Sequence, residues 1–483
     1  MIEKRHFYID GAWVDPADSR PCPVIDPSTE DEVAVIELGG QADTDAAVAA
    51  AGRAFPGWAA LSMAERVAHL ERLLEAYEAR KDDMAEAISL EMGAPIDWAR
   101  SQQQPAGTGH IEAAIAAARA FAQVRPLGPH APTDRIVMEP IGVVGMITPW
   151  NWPMNQVTLK VAYAAAVGCT MVLKPSEVAP LSSHLFAEIV DAAGWPAGVF
   201  NLVHGDGAGV GTQLSVHPDV DMISFTGSTR AGIAISKAAA DTLKRVSLEL
   251  GGKGANLVFA DADDRAVKRG ARSVFNNTGQ SCNAPTRMLV ERSIYDDAVE
   301  IARQTAEETK VGPGHEPGRH IGPVVSQAQW DKVQGLIQAG IDEGARLVAG
   351  GLGRPEGLNR GYYVRPTVFA DVRNDMTIAR EEIFGPVLSI IPFDSEAEAV
   401  EIANDTPYGL TDFVQSGDGA RRARLARQLR AGMVEMNGQS RAAGSPFGGV
   451  KASGNGREGG VWGLDEFCEV KAVSGWPEDV AAE

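Results

Sequence analysis

The sequence predicts an α/β protein built from two successive units, of which the first is a mostly parallel, doubly wound sheet. Short apolar segments alternate with helical ones from Gly142 to Leu250, and a second alternation begins after Gly252. Strands that alternate with helices favour parallel sheets covered by helices on both faces. A chain of 483 residues has room for roughly two to four structural units, so both sheets and further elements fit.

The first unit is defined by five short apolar segments that we predict to be strands. They lie at 143–148, 170–173, 199–203, 222–226 and 246–250. Valine and isoleucine favour strands, and the glycines between them mark turns. The predicted helices lie at 156–167, at 181–193, before Leu214 and at 229–240.

A second unit is expected over residues 252–446. Its first predicted elements are a strand at 256–259, a helix at 264–276, a strand at 286–290 and a helix at 294–309. Strand-like character returns in the tail at 469–474, after a glycine-rich stretch.

The N-terminal part has helical periodicity. Ser62 and Glu65 match a capping box, and Gly93 followed by Pro95 ends the helical region. A second, alanine-rich helix is expected near 109–122. Residues 124–132 carry three prolines and are predicted to be a linker or crossover.

Composition and charge exclude several classes of protein. A net charge of −20 argues against nucleic acid or an anionic membrane as partner, because both attract basic surfaces. The longest apolar stretch, 161–173, is too short to span a bilayer, and no signal peptide is evident. The four cysteines include no CxxC pair, so a disulfide framework or a zinc site is not expected. We therefore expect a cytoplasmic protein without a metal.

Polar and glycine residues follow each of the five predicted strands of the first unit. Ligands bind at the carboxyl ends of strands in open parallel sheets, so these strand ends predict one extended ligand site. The segments are Thr148-Pro-Trp-Asn151, Lys174-Pro-Ser-Glu177, His204-Gly-Asp-Gly207, Phe225-Thr-Gly-Ser228 and Glu249-Leu-Gly-Gly252.

Lys174 and Glu177 suit a ribose, because an ammonium donates to hydroxyls and a carboxylate accepts from them. The carboxylate also repels the 2′-phosphate of NADP, which favours NAD. The alternative is a surface pair beside a turn proline. The glycines of 207–211 do not fit GxGxxG, whereas Gly227-Ser228 precedes a helix whose N-terminus suits a pyrophosphate.

Cys282 lies in a polar turn that precedes a predicted strand. A cysteine in such a place is a better candidate nucleophile than one on an apolar face, such as Cys169. From the residues alone, a reactive thiol and a structural one remain equally open.

The polar segments together resemble the aldehyde dehydrogenase superfamily, from about Tyr8 to Val473. Many matches in the same order leave little room for coincidence. The matching motifs are Pro149-Trp-Asn-Trp-Pro153, Lys174-Pro-Ser-Glu177, Phe225-Thr-Gly-Ser228, Glu249-Leu-Gly-Gly-Lys253, Gly279-Gln-Ser-Cys282, Glu381-Glu-Ile-Phe-Gly-Pro386 and Ser445-Pro-Phe-Gly-Gly449.

The resemblance implies three parts. A dinucleotide-binding domain would comprise 1–121 and 141–251, and a catalytic domain 252–446. A small β element made of 122–140 and 469–483 would join subunits into a homodimer or homotetramer.

The resemblance also implies roles for individual residues. Cys282 would attack an aldehyde, Asn151 and the Cys282 backbone N–H would hold the oxyanion, and Glu249 would activate water to hydrolyse a thioester. Lys160 would have a supporting role at most, and the Arg457-Glu458 pair a structural one. NAD would contact Ile147, Trp150, Lys174, Glu177, Gly207, Gly211, Phe225, Gly227, Ser228, Leu250, Glu382 and Phe384.

The substrate and three alternative functions remain open at this point. Arg441, in a loop without the aromatics of common relatives, suits the distal carboxylate of an ω-oxo acid, or is a solvated surface arginine. Asn155 and Gln156 place amides where several relatives have apolar groups. The alternatives are a coenzyme A-acylating dehydrogenase, which Glu249 argues against, a thiol esterase, and a non-catalytic structural or binding descendant.

Overall fold

The computed structural model describes residues 1–477, which form an α/β protein with four sheets. Its strands, in chain order, are β1 (Ile2–Lys4), β2 (Phe7–Ile9), β3 (Ala12–Val14), β4 (Pro21–Asp26), β5 (Asp31–Glu37), β6 (Val124–Gly128), β7 (Ala131–Pro140), β8 (Val143–Ile147), β9 (Thr170–Lys174), β10 (Phe200–Leu202), β11 (Met222–Thr226), β12 (Arg245–Glu249), β13 (Ala255–Val258), β14 (Arg287–Glu291), β15 (Arg346–Ala349), β16 (Thr367–Ala370), β17 (Val387–Phe393), β18 (Thr411–Gln415), β19 (Met433–Met436), β20 (Gly454–Asn455) and β21 (Cys468–Val473).

The helices connect these strands and cover the sheets. They are α1 (Gln41–Ala59), α2 (Met63–Ala79), α3 (Lys81–Met92), α4 (Ile96–Trp98), α5 (Gln104–Ala120), α6 (Pro153–Val167), α7 (Leu181–Ala192), α8 (Thr212–Val216), α9 (Thr229–Ala239), α10 (Ala266–Phe275), α11 (Tyr295–Glu308), α12 (Gln327–Asp342), α13 (Thr377–Arg380), α14 (Glu396–Asn404), α15 (Gly419–Gln428) and α16 (Gly460–Glu466). None of them is both long and apolar enough to cross a membrane.

The first large sheet confirms the predicted doubly wound unit. Its order is β20-β12-β11-β8-β9-β10-β2-β3, and the five predicted strands pair in parallel. Val144 and Met146 of β8 belong to one hydrophobic core, whereas Val143 and Ile147 belong to another. Because side chains alternate along a strand, both faces of the sheet are covered. The antiparallel strands at its two edges, β2, β3 and β20, were not predicted.

The second large sheet lies within the predicted 252–446 unit. Its order is β15-β16-β17-β14-β13-β18-β19, and β15 alone is antiparallel to its neighbour. Leu289 faces one core and Met288 and Val290 face another. The segment Glu381–Phe384 precedes β17 and reaches back toward the first sheet.

The proline-rich segment 124–132 is not a linker, so that prediction is wrong. It folds as β6 and the start of β7, a hairpin to which the tail strand β21 adds in the order β21-β7-β6. Pro126 is tolerated because β6 lies at the edge, where a missing N–H breaks no ladder. Residues 478–483 of the predicted β element lie outside the described residues.

Candidate active site

Two cavities meet at Cys282. One, of about 200 Å³, lies at the carboxyl ends of β8, β11 and β12. The other, of about 390 Å³, lies among α5, α6 and the loop from Arg441 to Phe447. Cys282 and Gln156 line both cavities. A group bound in one cavity therefore meets a group bound in the other at the thiol.

The segment before Cys282 has a strained backbone. Asn277 and Thr278 have φ angles of 52° and 57°, a region that side-chain-bearing residues seldom adopt. Gly279 follows with a φ of 72°, and a Cβ there would lie 2.0 Å from the carbonyl oxygen of Gly385. No side chain fits at position 279, so the loop before Cys282 packs directly against the backbone of Gly385.

Asn151 is fixed against this loop. Its Nδ2 donates to the carbonyl oxygen of Gln280 at 3.0 Å. Its own carbonyl oxygen accepts from Gln103 at 3.2 Å and from Asn277 at 3.0 Å. Because an amide nitrogen carries two hydrogens, one N–H of Asn151 remains for a ligand in the cavity beside Cys282.

Glu249 ends β12 as a buried carboxylate, 2% exposed. Neither of its carboxylate oxygens has a hydrogen-bond partner within residues 1–477. Burial raises the pKa of Glu249 well above its usual range; the charge of Glu458 adds to this, and that of Lys160 opposes it. Lys160 and Glu458 themselves form a buried ion pair. A carboxyl group with a raised pKa is suited to accept and return protons near neutrality.

The Cys282 thiol is not activated by its own surroundings. Burial raises its pKa to about 12, and the charges of Glu382 and Glu249 act in the same direction, whereas Arg441 opposes them. The thiol is therefore protonated at neutral pH. Since the thiolate is the nucleophile, attack requires a base that removes this proton.

The smaller cavity brings together six residues predicted to bind the cofactor: Trp150, Gly227, Ser228, Leu250, Glu382 and Phe384. The rings of Trp150 and Phe384 meet edge to face, with centroids 5.4 Å apart. Glu382 Oε1 accepts from the Gly252 N–H at 2.9 Å. Thr226 also lines the cavity, and its hydroxyl is buried without a partner within residues 1–477. A cleft lined by aromatic rings, glycines and polar side chains, with one unpaired polar atom, fits a polar, planar ligand such as a nicotinamide riboside.

The other six predicted cofactor residues lie on neighbouring strand ends outside this cavity. Ile147 pairs in register with Lys174 on one side and with Phe225 on the other. Lys174 donates to Glu177 at 3.1 Å. A Cβ on Gly211 would lie 3.9 Å from the Lys174 side chain, and Gly207 begins the glycine-rich turn that ends at Gly211. These residues therefore lie on or after strands that neighbour the smaller cavity in the sheet.

Known proteins match this chain over nearly its whole length. The profile of the Aldehyde dehydrogenase family matches residues 13–473. The chain belongs to the aldehyde dehydrogenase family.

Several aldehyde dehydrogenases are similar to it in detail. The 3-succinoylsemialdehyde-pyridine dehydrogenase of a Pseudomonas species is 52% identical, over 99% of each chain. The crystal structure of an aldehyde dehydrogenase from Bartonella henselae is 60% identical, with a TM-score of 0.98 over 99% of this chain and 100% of that one. Aldehyde dehydrogenase C of Pseudomonas syringae, solved as a variant with NAD⁺ and octanal, is 48% identical, with a TM-score of 0.96 over 99% and 98%.

These relatives confirm the predicted family, fold class and cofactor. The protein is an aldehyde dehydrogenase, an oxidoreductase that uses NAD. The coenzyme A-acylating alternative is not favoured by them. Within residues 1–477 no group of three His, Cys, Asp or Glu side chains is placed to hold a metal ion.

In this aldehyde dehydrogenase, Arg441 lines the larger cavity rather than lying on the solvated surface. Its Nε donates to Glu435 at 2.9 Å, and its guanidinium lies 4.8 Å from the centroid of the Phe447 ring. The positive charge is thus already paired, which weakens the carboxylate-anchor interpretation.

Several residues at the site were not singled out from the sequence. Gln329 and Lys332 of α12 line the smaller cavity, and His110 of α5 lines the larger one. Their helices carry no recognisable motif, so only the packing of α12 and α5 against the site identifies them. Glu458 was assigned a structural role, but its ion pair with Lys160 lies beside Glu249 and influences that carboxylate.

Proposed function

We propose that this aldehyde dehydrogenase converts an aldehyde to a carboxylic acid through a thioester on Cys282, with Asn151 as oxyanion donor and Glu249 as general base. The observation that carries the proposal is the convergence of two cavities on Cys282. A cofactor in the smaller cavity and an aldehyde in the larger one would meet at this sulfur.

In the first step Glu249 takes the thiol proton and the Cys282 sulfur bonds to the aldehyde carbon. The free N–H of Asn151 and the backbone N–H of Cys282 then hold the oxyanion of the thiohemiacetal. Donors already fixed in place stabilise such a charge without reorganisation, and the bond from Asn151 to Gln280 provides that fixation. Bound NAD supplies the acceptor for the hydride.

Before the second step Glu249 releases the thiol proton to solvent. The carboxylate then removes a proton from water as the water attacks the thioester, and it returns this proton to the departing Cys282 sulfur as the carboxylic acid is released. Both carboxylate oxygens are free for this. A general base is most effective when its pKa lies near the working pH, and burial moves the pKa of Glu249 upward from its ordinary value. The Lys160–Glu458 ion pair beside Glu249 adds no net charge there, because its two opposite charges compensate each other.

NAD is proposed over NADP because of Glu177. Its carboxylate is partly exposed and held by Lys174 at 3.1 Å. A fixed negative charge at the ribose would disfavour a 2′-phosphate by repulsion.

We also propose that β6, β7 and β21 join subunits into a homodimer or homotetramer. Residues 1–121 with 141–251 would form the NAD-binding domain and 252–446 the catalytic domain, in a cytoplasmic enzyme. In the β21-β7-β6 sheet, the end strands β21 and β6 each leave one edge unpaired within residues 1–477. Val470 of β21 is 65% exposed. Exposed apolar edges pair readily with another chain. Sedimentation of the purified protein at several concentrations tests this assembly.

The chemical proposal is tested by following NADH at 340 nm with purified protein, NAD and a panel of aldehydes without coenzyme A. Equimolar NADH and carboxylic acid are expected. Replacement of Cys282 by Ser should abolish turnover, since near neutral pH a hydroxyl is a far weaker nucleophile than a thiol. Full activity of that variant, or NADH formation that requires coenzyme A, would contradict the proposal. Ester hydrolysis at full rate without nucleotide would point to the thiol esterase.

A further inference from the structure

We infer that the larger cavity selects aldehydes whose tail carries a neutral hydrogen-bonding group, such as a ketone or amide oxygen, and that Asn155 and Gln156 make this selection. The inference rests on the proposed function, because it assumes that the aldehyde carbon lies at Cys282. It goes further by naming the chemical class of the substrate tail.

Gln156 provides the first observation. It is 5% exposed and lines both cavities beside Cys282. Its side-chain oxygen is buried without a hydrogen-bond partner in residues 1–477. An apolar tail would leave this oxygen unpaired, which is unfavourable, whereas an N–H group of the tail would donate to it. A ketone oxygen can only accept, so it would pair with the N–H groups of Gln156, which the amide presents to it in the orientation rotated by half a turn.

Asn155 provides the second observation. Its Oδ1 lies 2.7 Å from His110 Nε2. An amide oxygen can only accept, so His110 Nε2 carries the hydrogen of this bond, and burial, which lowers the pKa of His110, favours the neutral imidazole. That bond orients the amide and leaves the N–H groups of Asn155 available to the cavity, which both residues line. Asn155 is thus a preset donor for an oxygen or ring nitrogen in the tail.

The charges around the cavity indicate that the tail group is neutral. Arg441 is paired with Glu435 at 2.9 Å, and Lys160 is paired with Glu458. Neither cation is free to compensate a carboxylate on the substrate. Burying an unpaired charge is much less favourable than burying a neutral polar group, so a ketone or amide is favoured over an acid.

The test compares aldehydes that differ only in one group. Each oxo-aldehyde with the ketone at carbon 4, 5 or 6 is paired with its methyl isostere, as 4-oxopentanal is with 4-methylpentanal. We expect kcat/KM of the wild-type enzyme to favour the oxo-aldehyde by about tenfold or more for at least one position. The position with the largest ratio locates the ketone relative to the amides.

Three variants test whether Asn155 and Gln156 cause the preference for oxo-aldehydes. Asn155→Leu and Gln156→Leu should each reduce the oxo-to-methyl ratio toward one. Asn155→Asp keeps the size but removes the donor, so it should lower the ratio even if the leucine variants fold poorly. The control Glu112→Gln changes an exposed residue on α5, near His110 in sequence, and should leave the ratio unchanged.

If the wild-type ratio of kcat/KM for oxo-aldehyde over methyl isostere is near or below one at all three ketone positions, the inference is overturned. NADH formation from the methyl isosteres would in that case leave the proposed function intact. Unchanged ratios in folded Asn155 and Gln156 variants would overturn the assignment to these residues. If no aldehyde of either series yields NADH, the proposed function itself fails together with the inference.

Discussion

The amide nitrogen of Asn151 and the carbonyl oxygen of Gln280 are 3.0 Å apart, so Asn151 and the loop that carries Cys282 form one unit. Asn277 reinforces it by donating to the carbonyls of both residues, at 3.0 and 3.1 Å. A change in either partner should therefore alter the position of the other.

Replacing Asn151 by Ala should lower kcat by about 10²–10³, the usual loss for one oxyanion donor. Gln103→Met, which removes a contact to the Asn151 carbonyl but no oxyanion donor, should lower kcat by less than about tenfold. Steady-state kinetics with one aldehyde measures both. Equal losses in the two variants would mean that loop position, rather than oxyanion binding, explains the effect.

Replacing Glu249 by Gln should lower the steady-state rate by about 10²–10⁴, because no base remains to activate water. Mass spectrometry of the protein after mixing with NAD and aldehyde should find little acyl group on Cys282, because the same carboxylate removes the thiol proton before attack. Added hydroxylamine, which would replace only the water step, should therefore not restore turnover. A normal steady-state rate in this variant would exclude Glu249 as the base.

The acidic limb of the pH–rate profile should follow the pKa of Glu249, since the base is inactive once protonated. The charge of Glu458 raises that pKa and the charge of Lys160 lowers it. Glu458→Gln should therefore move the limb to lower pH, and Lys160→Met should move it to higher pH. If the acidic limb lies at the same pH in both variants, its pKa belongs to a group other than Glu249.

Replacing Glu177 by Ser should raise kcat/KM with NADP by about tenfold or more relative to NAD, because the repulsive carboxylate is gone. Glu188→Gln, which removes a partly exposed carboxylate on α7 that pairs with Lys4 and Arg80, serves as a control for net charge. Initial rates with both cofactors give the ratio. An unchanged ratio would remove Glu177 as the source of cofactor choice.

The stacked pair His184–His204 should make the protein acid-sensitive. The rings lie 5.6 Å apart, and burial lowers the pKa of His184 to about 2 and that of His204 to about 3. Unfolded histidines bind protons below about pH 6.5 while these stay neutral, so the free energy of unfolding should fall as pH drops below that value, by about 1–3 kcal/mol per pH unit for the pair.

Urea unfolding at pH 7.5, 6.5 and 5.5 measures this loss. His184→Gln should reduce the slope with pH below 6.5, because one of the buried neutral imidazoles is then removed. His6→Gln, which replaces an exposed histidine, should leave the slope unchanged. A wild-type stability that is independent of pH over this range would contradict the prediction.

The repeating strands of the first unit could be predicted because they carry valine and isoleucine and end in polar motifs. The edge strands could not: β2 and β3 have 3 residues each and β20 has 2, too few for a periodic pattern. The prolines of 124–132 suggested a linker, since the sequence does not reveal that β6 lies at an edge where proline is tolerated.

The catalytic candidates could be predicted because they lie in short motifs, and the structure brings Cys282 and Asn151 to one cavity. The electrostatic setting of Glu249 could not be predicted. It depends on Lys160 and Glu458, which are 298 residues apart in sequence and meet only through the packing of α6 against the C-terminal segment.

The short strand β20 has a consequence for biosynthesis. It pairs with Leu248 and Glu249, yet it is translated about 200 residues after them. Until residues 454–455 leave the ribosome, the outer edge of β12 has no partner in the chain, and an open edge invites association with other nascent chains. The strand that carries Glu249 is therefore completed late in synthesis, and premature termination anywhere before β20 should yield aggregating rather than partly active protein.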